Sequence, residues 1–343
     1  MAATLLAILG VLAATAAQKA DISSLTPQRL AVTARPFAFD PASTDRRNFG
    51  RLEWRGGVIL AAPSEHFGGY SALSIPPDGK EMLALSDAGS WLSARLATKD
   101  GQLVGLEDAR IGPIPQKDGQ VLQRKRDRDA EALVALSPGK DLDGRYLIGF
   151  EGRHRIDEYV FRKGAFKGPA GGVKLPRQLR GMGRNEGLEG VTQLRGGQNN
   201  GAIVAFAERK LAPDGNHTGV LLKKGIAYPL FLKRTGEFDI TELASLKDGS
   251  LLVLERSFIR ASLKLDIRLR LVDAGEIEPD AILDGETLLE ADSRFKIDNF
   301  EAMAVTETED GETLITLLSD DNFNFFQSTL LARFALKSRK VAQ

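Results

Sequence analysis

The chain contains no cysteine, only three histidines and two tryptophans, and no excess of charge of either sign. Without cysteine, disulfides, a thiol nucleophile and lipid attachment through a thiol are all excluded. Because 46 basic residues balance 46 acidic ones, no overall basic field favours nucleic acid or a membrane surface as a partner. With so few histidines and no thiolate, the metals that the chain suits best are hard cations that bind oxygen.

Helical patterns and common catalytic motifs are also scarce. After the first 17 residues, no window of a dozen residues combines 3.6-residue apolar spacing with helix-capping residues. The sequence has no G-x-S-x-G elbow, no H-E-x-x-H helix and no G-x-x-x-x-G-K-[ST] loop, which disfavours a Ser-His-Asp hydrolase, a zinc peptidase and a P-loop enzyme. Segments rich in strand-forming residues are frequent, and 35 glycines suit a chain with many turns. We therefore predict an all-β fold.

The first 17 residues form an apolar leader that ends in Ala14-Thr15-Ala16, which has the small-x-small form of a signal-peptidase site. This pattern predicts a signal peptide over residues 1–17, with export to the periplasm or secretion. No lysine or arginine precedes the apolar run, so an uncleaved anchor is the alternative, although the run is short for a membrane span. We place one domain at residues 25–338, expected to be a monomer without stable membrane insertion after processing.

A short phrase recurs five times: a small or acidic residue, two mostly apolar residues, a Gly/Asp-rich turn, and an apolar run that ends in an acid. The copies begin 60, 58, 53 and 59 residues apart, at Ser71, Glu131, Glu189, Glu242 and Glu301. Each copy is typical of two strands joined by a tight turn. The acids at the end of the returning strands are Asp87, Glu151, Glu208, Glu255 and Asp320.

A repeat of this length predicts a β-propeller, in which equivalent strands bring equivalent residues to one rim of an axial channel. Five copies are visible in the sequence. Strands near Leu30 and Leu52 could pair with a strand near Leu330 and complete a sixth blade, so six blades are expected and five are the alternative.

Acids gathered at one rim repel one another, by about 4 kcal/mol for two carboxylates ~4 Å apart at an effective dielectric near 20, so they need a counter-charge. Oxygen ligands without thiols favour calcium. In the other interpretation these acids only accept hydrogen bonds or pair with nearby arginines and hold the blades in register. The predicted metal ligands are Asp87, Glu151, Glu208, Glu255, Asp320 and Asp321.

Basic clusters lie ahead of several of the repeat acids, and on a shared rim they would attract an anionic substrate. Cations near the phosphoryl oxygens, a water nucleophile and a carboxylate that takes its proton are what ester hydrolysis needs. Solvated loops that aid solubility are the plainer interpretation. The predicted catalytic residues are Glu131, Glu189, Glu301 and His154, and the predicted anion-binding residues are Arg153, Arg209 and Arg256.

Several motifs, taken in order, resemble a known family, the bacterial phytase-like domain with esterase-like activity, related to calcium-dependent β-propeller phytases. The resemblance covers about residues 50 to 336 and is carried by Leu83-Ala84-Leu85-Ser86-Asp87, Asp129-Ala130-Glu131-Ala132-Leu133, Glu186-Gly187-Leu188-Glu189-Gly190, Leu252-Val253-Leu254-Glu255-Arg256, Asn299-Phe300-Glu301-Ala302 and Leu318-Ser319-Asp320-Asp321-Asn322 before Gln327-Ser328-Thr329-Leu330. It implies an exported propeller and a calcium-assisted hydrolase of a small anionic phosphate or carboxylic ester.

Two departures from the family pattern concern the same rim. Ala88 stands where the family commonly has arginine, which weakens an anion site there, and alanine replaces glycine after Glu131 and Glu301. The competing prediction is a non-catalytic propeller scaffold that binds a ligand or partner at its rim. The run from Asn322 to Phe326 is expected either to bury its phenylalanines between blades or to form an aromatic loop at the rim.

Overall fold

The computed structural model describes residues 21–136, 139–183 and 187–337. The predicted signal segment lies outside the described residues, as do Pro138 of the second predicted turn, Glu186 of the third motif and the last residue of the predicted domain. Among the described residues, no helix has the length and apolarity that crossing a membrane requires.

Strands make up nearly all of the regular structure. The first twelve are β1 (Gln28–Arg29), β2 (Thr33–Pro36), β3 (Asn48–Phe49), β4 (Leu52–Ala61), β5 (Tyr70–Ser74), β6 (Glu81–Ser86), β7 (Ser90–Lys99), β8 (Gln102–Pro113), β9 (Ala130–Ala135), β10 (Gly144–Phe150), β11 (Arg155–Arg162) and β12 (Ala165–Val173). The others are β13 (Leu188–Gln193), β14 (Ile203–Leu211), β15 (His217–Lys223), β16 (Ile226–Leu232), β17 (Asp239–Ser245), β18 (Leu251–Ile259), β19 (Lys264–Val272), β20 (Ile282–Leu283), β21 (Glu286–Ala291), β22 (Asn299–Glu307), β23 (Thr313–Asp320) and β24 (Thr329–Leu336).

The described helical segments are all short. They are one α-helical turn, α1 (Lys125–Arg128), and the 3-10 turns Ile22–Ser24, Arg177–Leu179, Gly197–Asn199 and Ala274–Glu276. The prediction of an all-β chain is confirmed.

The strands form five sheets, each built on a four-stranded antiparallel blade. Blade 1 runs β5-β6-β7-β8 with β1 at its outer edge, blade 2 runs β9 to β12, blade 3 runs β13 to β16 with β20 added in parallel, and blade 4 is β17-β18-β19-β21. Blade 5 is β22-β23-β24-β4-β2. The innermost strands β5, β9, β13, β17 and β22 contact one another in turn, and β22 returns to β5. The molecule is therefore a closed β-propeller.

The expectation of six blades was wrong, because the N-terminal strands complete the fifth blade instead of starting a sixth. β4 pairs antiparallel with β24, with Ile59 opposite Leu330 and Trp54 opposite Phe334, and β2 then pairs with β4. The C-terminal segment supplies only the three inner strands of this blade. The N-terminal strands supply the outer ones, so the two ends of the chain close the ring within one sheet.

Between each pair of adjacent blades lies one apolar cluster, so the five interfaces have five cores. The inner strands have no exposed side, because both of their faces pack against a neighbouring blade; every residue of β5, for example, is buried. This explains the nearly continuous apolar runs in the sequence. At the interface between blades 4 and 5, Phe334 packs against Phe39 and Trp54, with ring centroids 5.1 and 5.0 Å apart.

Candidate metal centre and adjoining cleft

Every inner strand carries a β-bulge at the same height, and the bulged residue is the first residue of the sequence repeat in four of the five blades. In blade 2, for example, Ala130 lies opposite Phe150 and Ala132 opposite Gly149, which leaves Glu131 without a cross-strand partner. A bulge re-aims a side chain, which is why bulges are common beside functional sites. The bulged residues of blades 1 to 5 are Ser71, Glu131, Glu189, Thr241 and Glu301.

A second set of equivalent positions lies at the end of the strand that pairs with each inner strand. Each of these positions is two residue pairs beyond the bulge. Backbone pairing places these residues opposite Gly69, Asp129, Gly187, Asp239 and Asn299. In chain order they are Asp87, Glu151, Glu208, Arg256 and Asp320. We call the carboxylates at these two sets of positions the acid ring: Asp87, Glu131, Glu151, Glu189, Glu208, Glu301 and Asp320.

Blade 4 departs from the sequence prediction by one residue at both positions. Because Ile240 pairs with Glu255 and Glu242 with Leu254, the bulged residue is Thr241, and the residue at the strand end is Arg256. The predicted repeat start at Glu242 and the predicted strand-end acid Glu255 were therefore wrong in register. A shift of one residue moves a side chain to the other face of a strand.

Glu255 lies on the far face of β18, between blades 3 and 4, and is fully buried. Its two carboxylate oxygens accept hydrogen bonds from the Arg270 guanidinium, both at 2.6 Å. The structure thus places this predicted metal ligand in a buried ion pair outside the acid ring. Glu242 is also buried, and its carboxyl accepts a hydrogen bond from the Leu243 amide at 2.8 Å. Burial raises the pKa of Glu242 well above its ordinary value.

The densest part of the acid ring lies at blades 2 and 3, where Asp129 adjoins it. Ligand oxygens of Asp129, Glu131 and Glu151 lie within 4.8 Å of one another, and so do those of Glu151, Glu189 and Glu208. At this separation two carboxylates repel by roughly 3 kcal/mol at an effective dielectric near 20. Glu151 belongs to both groups and therefore joins the two blades.

The pKa values of the ring acids reflect this crowding. Burial, and then the charges of Asp129 and Glu208, raise the pKa of Glu151 to about 7. Burial also raises the pKa of Glu208 to about 7, although the guanidinium groups of Arg256 and Arg209 oppose the shift. Two acids of the ring therefore titrate near neutral pH.

Electrostatic coupling extends across the axis. Burial first, and then the charge of Glu189, raise the pKa of Glu131 well above its ordinary value, and Asp87 and Glu301 add to the shift. Burial, Glu301 and Asp87 act in the same direction on the pKa of Asp320. Carboxylates from distant parts of the sequence thus meet at one rim, which is the arrangement that the repeat predicted.

Arg256 is the positive charge inside this rim. Its guanidinium donates hydrogen bonds to Glu301 and Asn299 of blade 5, and to Glu208 of blade 3 at 3.2 Å. The neighbouring acids raise its pKa despite burial. Arg256, one of the three arginines predicted to bind an anion, is therefore already paired with two ring acids.

Asp320 and Asp321 differ in what they contact. Asp321 accepts hydrogen bonds from the amides of Gly69 and Phe323, both at 3.0 Å, and from the Thr329 hydroxyl at 2.8 Å. This predicted metal ligand therefore fastens the segment before β5 to the end of blade 5. Asp320 lies in the ring and accepts a hydrogen bond from the Asn322 amide at 2.6 Å.

The remaining predicted residues lie at the edge of the ring or beyond it. Arg209 contacts Glu208 at 3.2 Å and Asp239 at 2.7 Å. Arg153 contacts Asp127 at 3.5 Å and lines a separate groove of about 440 Å³. His154 Nε2 lies 3.2 Å from the Gly183 carbonyl oxygen. Among the described residues, neither Arg153 nor His154 forms an ion pair with a ring acid.

Sequence reasoning missed three polar residues at the rim: Asp129, Asp239 and Asn299. Each stands two residues before the bulged residue of its blade, and each lies opposite a strand-end residue. Asp129 and Asn299 had a signal in the sequence, because both stand two residues before the start of the repeat, where blades 1 and 3 have glycine. Asp239 had none, because the predicted repeat start at Glu242 was one residue out of register. At Gly187 an added Cβ would lie 2.1 Å from Glu151 Cγ, so the absence of a side chain makes room for the ring.

A cleft of about 1340 Å³ opens beside the ring over blades 3, 4 and 5. Arg256 and Asn299 belong to both the ring rim and the cleft wall. The extended hairpin of β18 and β19 and the loop after Asp321 form its outer sides. Phe325 and Phe326 are 96% and 85% exposed, so this loop is an aromatic rim loop and not a core contact.

Below the ring the axis is filled. The residues two positions after each bulge are buried apolar side chains around a small cavity of about 40 Å³: Leu73, Leu133, Val191, Leu243 and Met303. The acid ring therefore lies above an apolar plug, and a ligand reaches it from the side of the cleft.

Comparison with known proteins gives the family. The model of the phytase-like family, described as esterase-like activity of phytase, matches residues 65–323, which is more than half of the chain. The chain belongs to this family. No curated protein matches it.

Solved structures with a similar fold are distant in sequence. An endo-arabinase from Bacteroides thetaiotaomicron VPI-5482 is 13% identical with a TM-score of 0.44, and the match covers 79% of this chain and 99% of that one. The Cps50 (Swd1) β-propeller domain of Myceliophteria thermophila is 9% identical with a TM-score of 0.38, over 90% of this chain and 99% of that one.

Proposed function

We propose that the protein is an exported hydrolase of phosphate or carboxylic esters that works with calcium in the acid ring. The observation that carries this proposal is the crowding of Asp129, Glu131, Glu151, Glu189 and Glu208 into two overlapping groups with ligand oxygens within 4.8 Å. Family membership supports hydrolysis. Export to the periplasm or outside the cell, a monomeric state and a small anionic ester substrate remain parts of the proposal.

The donor set fits calcium. All of its donors are carboxylate oxygens, and calcium takes six to eight oxygen ligands at about 2.3–2.6 Å. Crowded carboxylates whose pKa values rise to about 7 are groups that a cation would stabilise in the ionised form. The residues best placed to hold the ion are Glu151, Glu189 and Glu208, with Glu131 and Asp129 adjoining.

This set differs from the ligands expected from sequence. Glu255 is engaged by Arg270, and Asp321 by two backbone amides and a hydroxyl, so neither enters the proposal. Asp87 and Asp320 lie on the other side of the ring, where they lengthen the acidic rim.

Bound calcium would stabilise the negative charge that develops on the ester oxygens. The protein's own groups would handle the proton. Glu208 would be ionised beside the ion, so a carboxyl outside the group of Glu151, Glu189 and Glu208 would accept the proton from water. Glu131 and Glu301, at the bulges, are the candidates for this role. Arg209 and Arg256 are held by Asp239 and by ring acids, so they would add positive potential beside the ring while they keep these contacts.

A non-catalytic scaffold is the second candidate, and one observation favours it. Arg256 links Glu208 of blade 3 to Glu301 of blade 5, so part of the ring already serves blade-to-blade contacts. A ring used only in this way would need no cation and would turn over no ester.

The deciding experiment is calcium titration by calorimetry on the mature protein, followed by assays of aryl phosphates and acyl esters with and without chelator. We expect a bound ion and ester turnover that chelator abolishes. The substitution Glu189→Gln keeps the side-chain shape but removes a charge from the dense group. It should weaken calcium binding about 100-fold, as loss of a charged ligand from a hard-cation site would.

Glu242→Gln is the matched control, because Glu242 is an equally buried acid of the next blade that lies outside the ring. It should leave calcium binding and turnover unchanged. Absence of both calcium heat and turnover in the wild-type protein would reject the hydrolase proposal in favour of the scaffold.

A further inference from the structure

The cleft beside the acid ring is lined by several exposed apolar side chains. Of the nine large apolar side chains that are exposed among the described residues, five line this cleft: Leu211, Phe258, Ile259, Leu263 and Phe326. Leu263 is 77% exposed and Phe258 51%. Exposed apolar side chains gathered in one concave place indicate a binding surface.

The charged groups of the cleft wall are mostly satisfied within the protein. Arg209 and Arg234 both contact Asp239, at 2.7 and 3.1 Å, and Arg234 also contacts Glu237 at 3.5 Å. Asp298 accepts hydrogen bonds from the amides of Asn299 and Ser328 at 2.9 and 2.8 Å. These groups hold the wall together and leave little charge for a ligand.

Arg260 is the exception. It is exposed at the end of β18, directly after Phe258 and Ile259, and lines the same cleft. Among the described residues it makes no ion pair within 4.0 Å. A guanidinium beside an apolar wall presents one positive charge and a hydrocarbon surface to the same ligand.

We propose that the substrates of this site are amphiphiles, small esters that join an anionic group to an alkyl or aryl chain, with the chain lying on Phe258, Ile259, Leu263 and Phe326. This inference rests on the proposed function for the identity of the reacting group. It is carried by the continuity of the cleft with the ring through Arg256 and Asn299. The cleft, larger than the usual 300–1,000 Å³ of a ligand pocket, has room for such a chain.

The test uses methyl-, butyl- and octylphosphonate, whose carbon–phosphorus bond is not hydrolysed, so that binding is measured without turnover. Full burial of a methylene strengthens binding about fourfold, and an open cleft should give about half of that free energy, or twofold per methylene. Calorimetry in calcium buffer should therefore show octylphosphonate binding about 100-fold more tightly than methylphosphonate. Affinity that is independent of chain length overturns the proposal.

Variants locate the effect. The pair Phe258→Ser and Leu263→Ser should flatten the dependence on chain length. The pair Ile226→Ser and Ile282→Ser is the matched control, because these residues are 55% and 54% exposed but lie on blade 3 away from the cleft. Arg260→Gln should weaken all three phosphonates by a similar factor of about three. Equal flattening by the control pair would contradict the assignment.

Hydrolysis separates this inference from the proposed function. If phosphonates bind with the expected chain-length dependence but no ester is turned over, the cleft assignment stands and the hydrolase proposal fails. If methyl and octyl phosphates are hydrolysed with the same kcat/KM and the Phe258→Ser and Leu263→Ser variant behaves as wild type, the hydrolase stands and the amphiphile inference is wrong.

Discussion

Blades 2, 3 and 5 carry an acid at both rim positions, whereas blade 4 carries Thr241 and Arg256 at the same places. The paired acids are Glu131 with Glu151, Glu189 with Glu208, and Glu301 with Asp320. Three blades therefore concentrate negative charge at the rim, and blade 4 supplies a cation where the rim opens into the cleft. Five blades with two acids each would add further repulsion without a counter-charge. Blade 4 therefore provides a counter-charge to the acids of both neighbouring blades and makes the rim asymmetric.

The difference also shows that burial alone does not define the site. Glu255 of blade 4 is as buried as any ring acid, but it faces Arg270 and is fully paired. Glu189 is buried among Glu208, Glu301 and Glu151, which raise its pKa further. Acids crowded by other acids are candidates for ion binding, and an acid whose two oxygens are both held by one arginine, as in Glu255, is not.

The largest effect on stability is expected from Glu255→Gln. This substitution leaves the Arg270 guanidinium, which is only 2% exposed, without its counter-charge. Breaking a buried pair in this way costs about 3–5 kcal/mol of unfolding free energy. Urea denaturation measures the loss, and calcium affinity should stay unchanged. A weakened calcium site with unchanged stability would instead make Glu255 a ligand.

The double substitution Glu255→Leu with Arg270→Met is the control for this prediction. It removes both charges together, so most of the stability lost in Glu255→Gln should return. If the double variant is as unstable as the single one, packing and not the unpaired charge explains the loss.

Arg256→Gln should have the next largest effect, because it removes the cation from the rim. Glu208 and Glu301 then lose a charge-assisted partner, and stability without calcium should fall by about 2 kcal/mol. Calcium would no longer compete with the guanidinium, so its affinity should rise about tenfold. Calorimetry and thermal unfolding with and without calcium check both parts. A variant that loses stability but gains no calcium affinity would favour the scaffold.

The stability of the calcium-free protein should depend on pH, because the crowded acids of blades 2 and 3 have raised pKa values. In the folded protein the pKa values of Glu151 and Glu208 are about 7, against an ordinary value of 4.5. Between these values the folded state binds more protons than the unfolded state, so stability falls as pH rises from about 4.5 to about 7. The melting temperature should drop by several degrees over this range.

Saturating calcium should remove this slope, because it stabilises the ionised carboxylates. The double variant Glu151→Gln and Glu208→Gln should lose part of the slope without calcium, since neither side chain then titrates. Glu131, Glu189 and Asp320, whose pKa values are also raised, should keep the rest. A melting temperature that rises from pH 5 to pH 7 in the calcium-free wild-type protein would contradict the raised pKa values.

The repeat made the propeller and its acidic rim predictable, because the phrases around Glu131, Glu189 and Glu301 keep a nearly constant spacing of strand, turn and acid. The blade count was not predictable in the same way. Whether β2 and β4 complete an existing blade or begin another depends on pairing between the ends of the chain, which leaves no periodic trace.

The register of blade 4 was the other limit. Glu242 and Glu255 both match the repeat in sequence, but the structural positions of the repeat are occupied by Thr241 and Arg256. The difference of one residue places the side chains of Glu242 and Glu255 on the opposite faces of their strands. A spacing of 53 residues where the others were 58 to 60 was the only hint. The metal-ligand set could not be fixed from sequence either, because Asp321 and Asp320 are adjacent and only the contacts with Gly69 and Thr329 distinguish them.

Thr241→Val should have the smallest effect. It tests whether the bulged residue of blade 4 only stabilises the fold or also takes part in calcium binding. The Thr241 hydroxyl lies 3.3 Å from both the Leu254 and the Phe300 carbonyl oxygens, and its single hydrogen can serve only one of them at a time. Valine has nearly the same shape, so the loss should be about 1 kcal/mol of unfolding free energy, measured in urea. Calcium affinity should not change, because Thr241 brings no charge to the rim. A clear fall in calcium affinity would mean that the hydroxyl belongs to the ion's surroundings, and blade 4 would then contribute to the centre that its neighbours form.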